Sequence, residues 1–268
     1  MSIREKARQL FAEGVDGVLA FKRTDGVCIP HLFTKTEVEE ICKDVPADQR
    51  YPVAGIVRRI FLSGLAGKIG VVARGCDERA LIELGKQGQI DFDLLSIIGV
   101  ACSEEQARYC ECSKPYPSRI DVGSRFEGIS VSEKVRAVES MEGDERLAYW
   151  LAQFASCLKC MGCRNICPVC YCVECSLEDE NLVRRGSVPP DWPVFHLLRA
   201  VDMASRCIDC GLCEESCPSG IPLRTLYKKA TEIVKELFDY EPGADMTQRS
   251  PLGTIGDQSE LPGGAFEA

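Results

Sequence analysis

Histidine is almost absent from this sequence. The 268 residues include two, His31 and His196, so a three-His zinc centre cannot form, and no HExxH pair or Ser-His-Asp context is present. Basic charge is also short: 32 Lys and Arg against 41 Asp and Glu leave a net charge of −9. A phosphate-tracking surface is thereby excluded as the main partner surface, and nucleic acid with it. Long apolar runs are missing too. The longest, Leu94 to Cys102, falls far short of the roughly 18–20 residues that span a bilayer, so no membrane insertion is expected. The opening stretch carries Arg4, Glu5, Lys6 and Arg8 where a secretory signal needs an apolar core. The chain reads as cytoplasmic, where thiols stay reduced and can serve as metal ligands.

What the sequence does have is cysteine. There are 17, an odd number, so complete internal disulfide pairing is impossible. Eleven fall between Cys157 and Cys217, the density of a metal site. Within them Cys157-x2-Cys160-x2-Cys163-x3-Cys167-Pro168 and Cys207-x2-Cys210-x2-Cys213-x3-Cys217-Pro218 both have the spacing of the bacterial cluster-binding run. Three thiolates at that spacing wrap three corners of a [4Fe–4S] cube, and the fourth, before its proline, reaches the other cluster. One cluster is then expected on Cys157, Cys160, Cys163 and Cys217, the other on Cys207, Cys210, Cys213 and Cys167. Two zinc knuckles are the competing reading, but zinc needs four ligands only and leaves the duplicated Cys-Pro unexplained.

The predicted fold is α+β, in three parts. Residues 1–130 form an α/β region: an amphipathic helix, a hairpin turning at Asp25-Gly26, and a strand–helix–strand unit over residues 66–102. Cys76 then opens the helix of that unit and Cys102 ends its second strand, at the sheet edge where ligands collect. Residues 131–240 are helical, with two apolar stripes leading into the cysteine runs: Leu147, Trp150, Leu151 and Phe154 on a helix capped by Asp144, and Val194, Leu197, Leu198 and Val201. Residues 241–268 are expected to be an extended tail.

Cys76, Cys102, Cys110 and Cys112 are the leading ligands for a third cluster. Cys170, Cys172 and Cys175 are left as substitutes or as part of a fourth. Cys28 and Cys42, isolated in the first region, read as small buried hydrophobes. Asp209, Glu214 and Glu215 beside the second run, against Lys159 and Arg164 beside the first, predict the lower potential at the second cluster.

Two resemblances carry functional content. The spacing of the runs, with helices around them and Ile221-Pro222 after the second, resembles the α-helical ferredoxin domain of heterodisulfide reductase and succinate dehydrogenase subunits. The stretch Gly67 to Leu84, with Arg74-Gly75-Cys76-Asp77-Glu78-Arg79-Ala80 at its centre, and Ile97-Ile98-Gly99-Val100-Ala101-Cys102 resemble the beta-subunit family of deazaflavin-reducing hydrogenases and formate dehydrogenases. This family implies an iron–sulfur subunit of an anaerobic multisubunit oxidoreductase. It would relay single electrons between a flavin- or hydride-handling subunit and a heterodisulfide-reductase-like, formate dehydrogenase or hydrogenase partner. The alternative is a flavin-containing subunit that itself oxidises or reduces a deazaflavin or nicotinamide. Residues 1–65 show no flavin phosphate loop, and Gly64-x2-Gly67-x2-Gly70 precedes its strand, unlike the dinucleotide fingerprint.

Overall fold

The computed structural model describes residues 2–45, 50–65, 67–184, 186–189 and 193–252. Helix α1 (Ile3–Ala12) starts at Ser2, whose hydroxyl accepts from the Glu5 amide while the Glu5 carboxylate accepts from the Ser2 amide. This reciprocal cap satisfies two donors that the first turn leaves open. Ile3, Ala7, Leu10 and Phe11 then form its buried stripe. Strands β1 (Gly17–Thr24) and β2 (Val27–Phe33) make the antiparallel hairpin, with Asp25 and Gly26 at φ 50° and 83°, the left-handed pair a two-residue turn requires.

After helix α2 (Val53–Leu62) come β3 (Ile69–Ala73), α3 (Gly75–Lys86) and β4 (Leu95–Gly99), the predicted strand–helix–strand unit. The sheet runs β2-β1-β3-β4, and β1, β3 and β4 are parallel. Helix α1 covers one face through Leu10, Phe11, Val18, Val72 and Ile98. Helices α2 and α3 cover the other through Val57, Leu81 and Leu84 against Leu19, Phe21 and Val71. Every residue of β3 is buried, as in a strand covered on both faces.

The rest is helical: α4 (Glu104–Tyr109), α5 (Glu133–Glu139), α6 (Gly143–Ala155), α7 (Gly162–Asn165), α8 (Val194–Ala204), α9 (Leu212–Glu215) and α10 (Leu223–Phe238). Two expectations change. Glu142 holds the N-cap position of α6 without a side-chain cap bond and Asp144 lies in the first turn, while Leu147 of the predicted stripe is 56% exposed. Helix α8 turns three of its four predicted stripe residues outward, leaving Val194, Leu197 and Val201 41%, 49% and 64% exposed, while Leu198 packs against Leu177, Val183 and Phe195. The helix buries Phe195, His196, Arg199, Ala200 and Met203 instead, because the cysteine runs lie on that side.

The two halves share apolar packing. The core between the sheet and α2–α3 continues into Val169, Met203 and Ile208, with Cys167, Cys207 and Cys210 packed against it. The stretch expected as a tail begins by folding back onto α3. Tyr240 is 1% exposed, its hydroxyl donates to Glu83 Oε1 at 2.9 Å, and the Gly243 amide donates to the same oxygen at 2.6 Å. Lys86 Nζ lies 2.6 Å from that oxygen as well. Gly243 sits at φ 72°, and a Cβ there would come within 2.5 Å of Arg79, so only glycine lets the strap lie this close. Of the predicted tail, residues 253–268 lie outside the described part, as do Pro190, Asp191 and Trp192 of the loop before α8.

Candidate metal centres

The two cysteine runs adopt the same backbone twice. Lys159 and Met161 in the first, and Asp209 and Gly211 in the second, all take left-handed φ of 51°, 59°, 55° and 78°. Three of the four are not glycine, and that conformation costs an ordinary residue free energy and recurs at functional sites. The winding turns amides onto sulfur. Lys159 N donates to Cys157 Sγ at 3.4 Å and Gly162 N to Cys160 Sγ at 3.5 Å; the amides of Asp209 and Leu212 serve Cys207 and Cys210 in the same way. The one-turn helices α7 and α9 then deliver the fourth cysteine of each run ahead of its proline.

Each fourth cysteine arrives in the other run's cavity. Cys157, Cys160, Cys163 and Cys217 line one cavity, walled by Met161, Phe195, His196 and Leu223. Cys167, Cys207, Cys210 and Cys213 line the second, walled by Val169, Met203, Tyr227, Arg199 and Arg224. Neither lining includes a carboxylate. Four soft donors spread around an apolar volume fit a cubane iron–sulfur cluster, not a hard oxygen-ligated cation. Burial pushes the Cys207 thiol up to about 12 and raises Cys157, Cys163, Cys210 and Cys213 as well. Left to themselves these groups stay protonated; a coordinated metal cation is what makes such a thiol give up its proton.

Cys76, Cys102, Cys110 and Cys112 come together at the carboxyl end of the parallel strands. Cys76 lies in the first turn of α3, Cys102 just beyond β4, and Cys110 closes α4. Burial raises Cys102 to about 11, with Cys112 and Cys110 within electrostatic reach of it; burial likewise raises Cys76, which lies within reach of Cys102. Arg79 hydrogen-bonds Cys112. Arg50 joins this group to the second cavity, since its Nη1 lies 3.2 Å from Cys110 Sγ and 2.6 Å from the Cys210 carbonyl oxygen. Cys210 in turn feels Cys76.

Cys170 lies within electrostatic reach of Cys167 and Cys172, whereas Cys175 has other neighbours. Cys170 lies 3.9 Å from Arg199, exposed Cys172 lies 3.9 Å from Arg206, and Cys175 packs against the core of Leu177, Val183 and Phe195. Cys28 and Cys42 touch, with sulfurs 3.3 Å apart, and Cys28 belongs to the first core. Burial and that contact raise the Cys42 thiol to about 11.

The sequence reading missed two buried polar side chains of α8, Arg199 and His196. Arg199 is 3% exposed and donates to the Cys163 carbonyl at 3.0 Å. His196 is 1% exposed and stacks on Phe154 at 4.2 Å, and neither ring nitrogen has a hydrogen-bond partner among the described residues. Burial lowers its pKa to about 4, so it is neutral at ordinary pH. Their only signal in the sequence is a polar pair interrupting an apolar helix two to three turns before Cys207.

Comparison with known proteins agrees with this geometry. Residues 156–222 match the family model described as a 4Fe-4S dicluster domain. The chain is 33% identical over 143 residues, 53% of its length and 38% of the relative's, to the F420-dependent formate dehydrogenase subunit beta of Methanocaldococcus jannaschii. It is 33% identical over 151 residues, 56% of its length and 39% of the relative's, to the F420-dependent formate dehydrogenase 1 subunit beta of Methanococcus maripaludis. The matched stretches thus amount to under two-fifths of those proteins. Among the described residues no helix is long and apolar enough to cross a membrane. The chain carries a 4Fe-4S dicluster domain and is a homologue, over about half of its length, of F420-dependent formate dehydrogenase beta subunits.

Proposed function

We propose that this chain is an electron-transfer subunit of a formate dehydrogenase-type complex that carries single electrons along a row of three [4Fe–4S] clusters. The observation that carries the reading is the exchange of Cys167 and Cys217 between two adjoining all-thiol cavities, with a third thiol group tied to the second by Arg50. Cys157, Cys160, Cys163 and Cys217 would hold the first cluster, Cys207, Cys210, Cys213 and Cys167 the second, and Cys76, Cys102, Cys110 and Cys112 the third. When bound, these groups supply one-electron redox steps without a proton.

The residues present do the remaining work. Met161, Phe195, Val169 and Met203 give the two cavities apolar walls, Cys160 remaining exposed, and the amides of Lys159, Gly162, Asp209 and Leu212 would stabilise the charged sulfurs and hold them in place. The outward stripe of Val194, Leu197 and Val201 on α8 supports assembly with other redox subunits, a flavin- or hydride-handling one on one side and a terminal one on the other.

Iron, acid-labile sulfide, zinc and flavin per chain after anaerobic purification test the reading. About twelve iron atoms without flavin agree with it, since each cubane holds four. About eight confine the clusters to the dicluster domain. Bound flavin moves the chain to the flavin-containing alternative, and zinc without iron refutes both.

A further inference from the structure

We propose that Arg199 is the fixed counter-charge of the second cluster, set between the two thiol cavities so as to hold that cluster's potential up against its burial. The inference rests on the cluster assignment above and concerns this chain's own residue.

Arg199 lies on the inner face of α8. It lines the second cavity and reaches across to the first run through its bond to the Cys163 carbonyl. Its described hydrogen bonds go to that carbonyl and to Cys170 sulfur, none to a carboxylate. The titratable groups around it are Cys167, Tyr227, Cys163 and Cys170, three thiols and a phenol, none of them a carboxylate. A guanidinium held at 3% exposure without an anion is costly. The cost is offset if an anion occupies the cavity beside it. Four thiolates around a cubane make such an anion, and its negative charge grows by one on reduction. A buried cation next to it therefore favours the reduced state more than the oxidised one.

The carboxylates that suggested a low potential for the second cluster are already answered. Asp209 pairs with Arg224 at 2.6 Å and with Lys228 at 3.1 Å, Glu214 with Lys134 at 3.4 Å, and Glu215 with Arg50. Arg224 also lines the second cavity but is paired with Asp209, which leaves Arg199 as the cation there with no carboxylate among its described hydrogen bonds. At the first cavity the nearby cations are turned away or paired: Lys159 turns its ammonium to the Arg184 carbonyl near the surface, and Arg164 pairs with Glu178. The charge contrast read along the sequence is thus reversed around the cavities.

The test is a dithionite titration followed by EPR on anaerobically purified wild type, Arg199→Gln and Arg199→Lys, with iron measured on each sample and Cys160→Ser used to assign the first cluster's signal. The expected result is a downward shift of the second midpoint in Arg199→Gln, with the first moving less, and most of the shift restored in Arg199→Lys. An unshifted second midpoint in Arg199→Gln at full iron content overturns the proposal, as do equal shifts with Gln and Lys. If Arg199→Gln does not hold its iron, the wild type decides. Between low salt and about 1 M, where the Debye length shrinks to about 3 Å, exposed charges are screened and buried ones are not. The second midpoint should then move less than the first, and equal or greater movement overturns the proposal. Wild-type protein without iron refutes the cluster assignment itself, which separates that failure from this one.

Discussion

Substituting Glu83 by alanine should loosen the joint between the two halves of the chain. Glu83 Oε1 accepts from the Tyr240 hydroxyl, the Gly243 amide and the Lys86 ammonium at 2.9, 2.6 and 2.6 Å. The Glu83 and Lys86 side chains are 2% and 5% exposed. Removing the carboxylate leaves the ammonium buried against a phenol and the Gln248 carbonyl and orphans the Gly243 amide. Breaking one side of a buried pair costs about 3–5 kcal/mol, a large part of the roughly 5–15 kcal/mol that holds a domain folded. Tyr240→Phe leaves the ion pair intact and removes one hydroxyl, at about 1–2 kcal/mol. Denaturant unfolding of the anaerobic holoprotein, followed by both far-UV circular dichroism and cluster absorbance, measures the two costs, and limited proteolysis within residues 239–252 locates the loosening. A Glu83→Ala protein within about 1 kcal/mol of wild type, or a Tyr240→Phe cost equal to it, refutes the reasoning.

Cys42 should be slow toward alkylation. With its thiol raised from 9.0 to about 11, the thiolate fraction at pH 8 is about one hundredth of that in the unfolded chain, and timed iodoacetamide labelling reads the difference. The same shift favours the folded state while the thiol stays protonated, so this contribution is present below about pH 9 and is lost as pH rises through 9 toward 11; Cys42→Ala should flatten that part of the stability profile. Leu197→Asp and Val201→Asp should stay within about 0.5 kcal/mol of wild type, since both side chains point outward; a cost above about 2 kcal/mol would restore the core-facing stripe. Gly99→Ala should block folding of the sheet edge, because a Cβ there would stand 1.9 Å from the Arg119 carbonyl oxygen, and loss of soluble protein or of cooperative unfolding checks it. Cys210→Ala should lower iron by about four per chain, whereas Cys172→Ala should leave it unchanged, because Cys172 is exposed and away from the two cavities.

The sequence by itself determined the local chemistry. The Cys-x2-Cys-x2-Cys-x3-Cys-Pro spacing dictates the winding of each run, because three thiols two residues apart reach a common volume only when the intervening backbone turns left-handed, as it does at Lys159, Met161, Asp209 and Gly211. The hairpin at Asp25-Gly26 and the strand–helix–strand around Cys76 were equally legible, since turn chemistry and short apolar runs act over a few residues. Tertiary structure alone decided which face of α8 is buried. Its apolar periodicity points to Val194, Leu197 and Val201, yet the fold turns Phe195, His196 and Arg199 inward, because long-range packing against the cysteine runs outweighs the helix's own pattern. Tertiary structure also decided the charge around the cavities. Asp209 and Glu215 look like free anions along the chain, but Arg224 and Arg50 neutralise them from 15 and 165 residues away. Pairing at that separation depends on where the fold brings the side chains, and no spacing in the sequence encodes it.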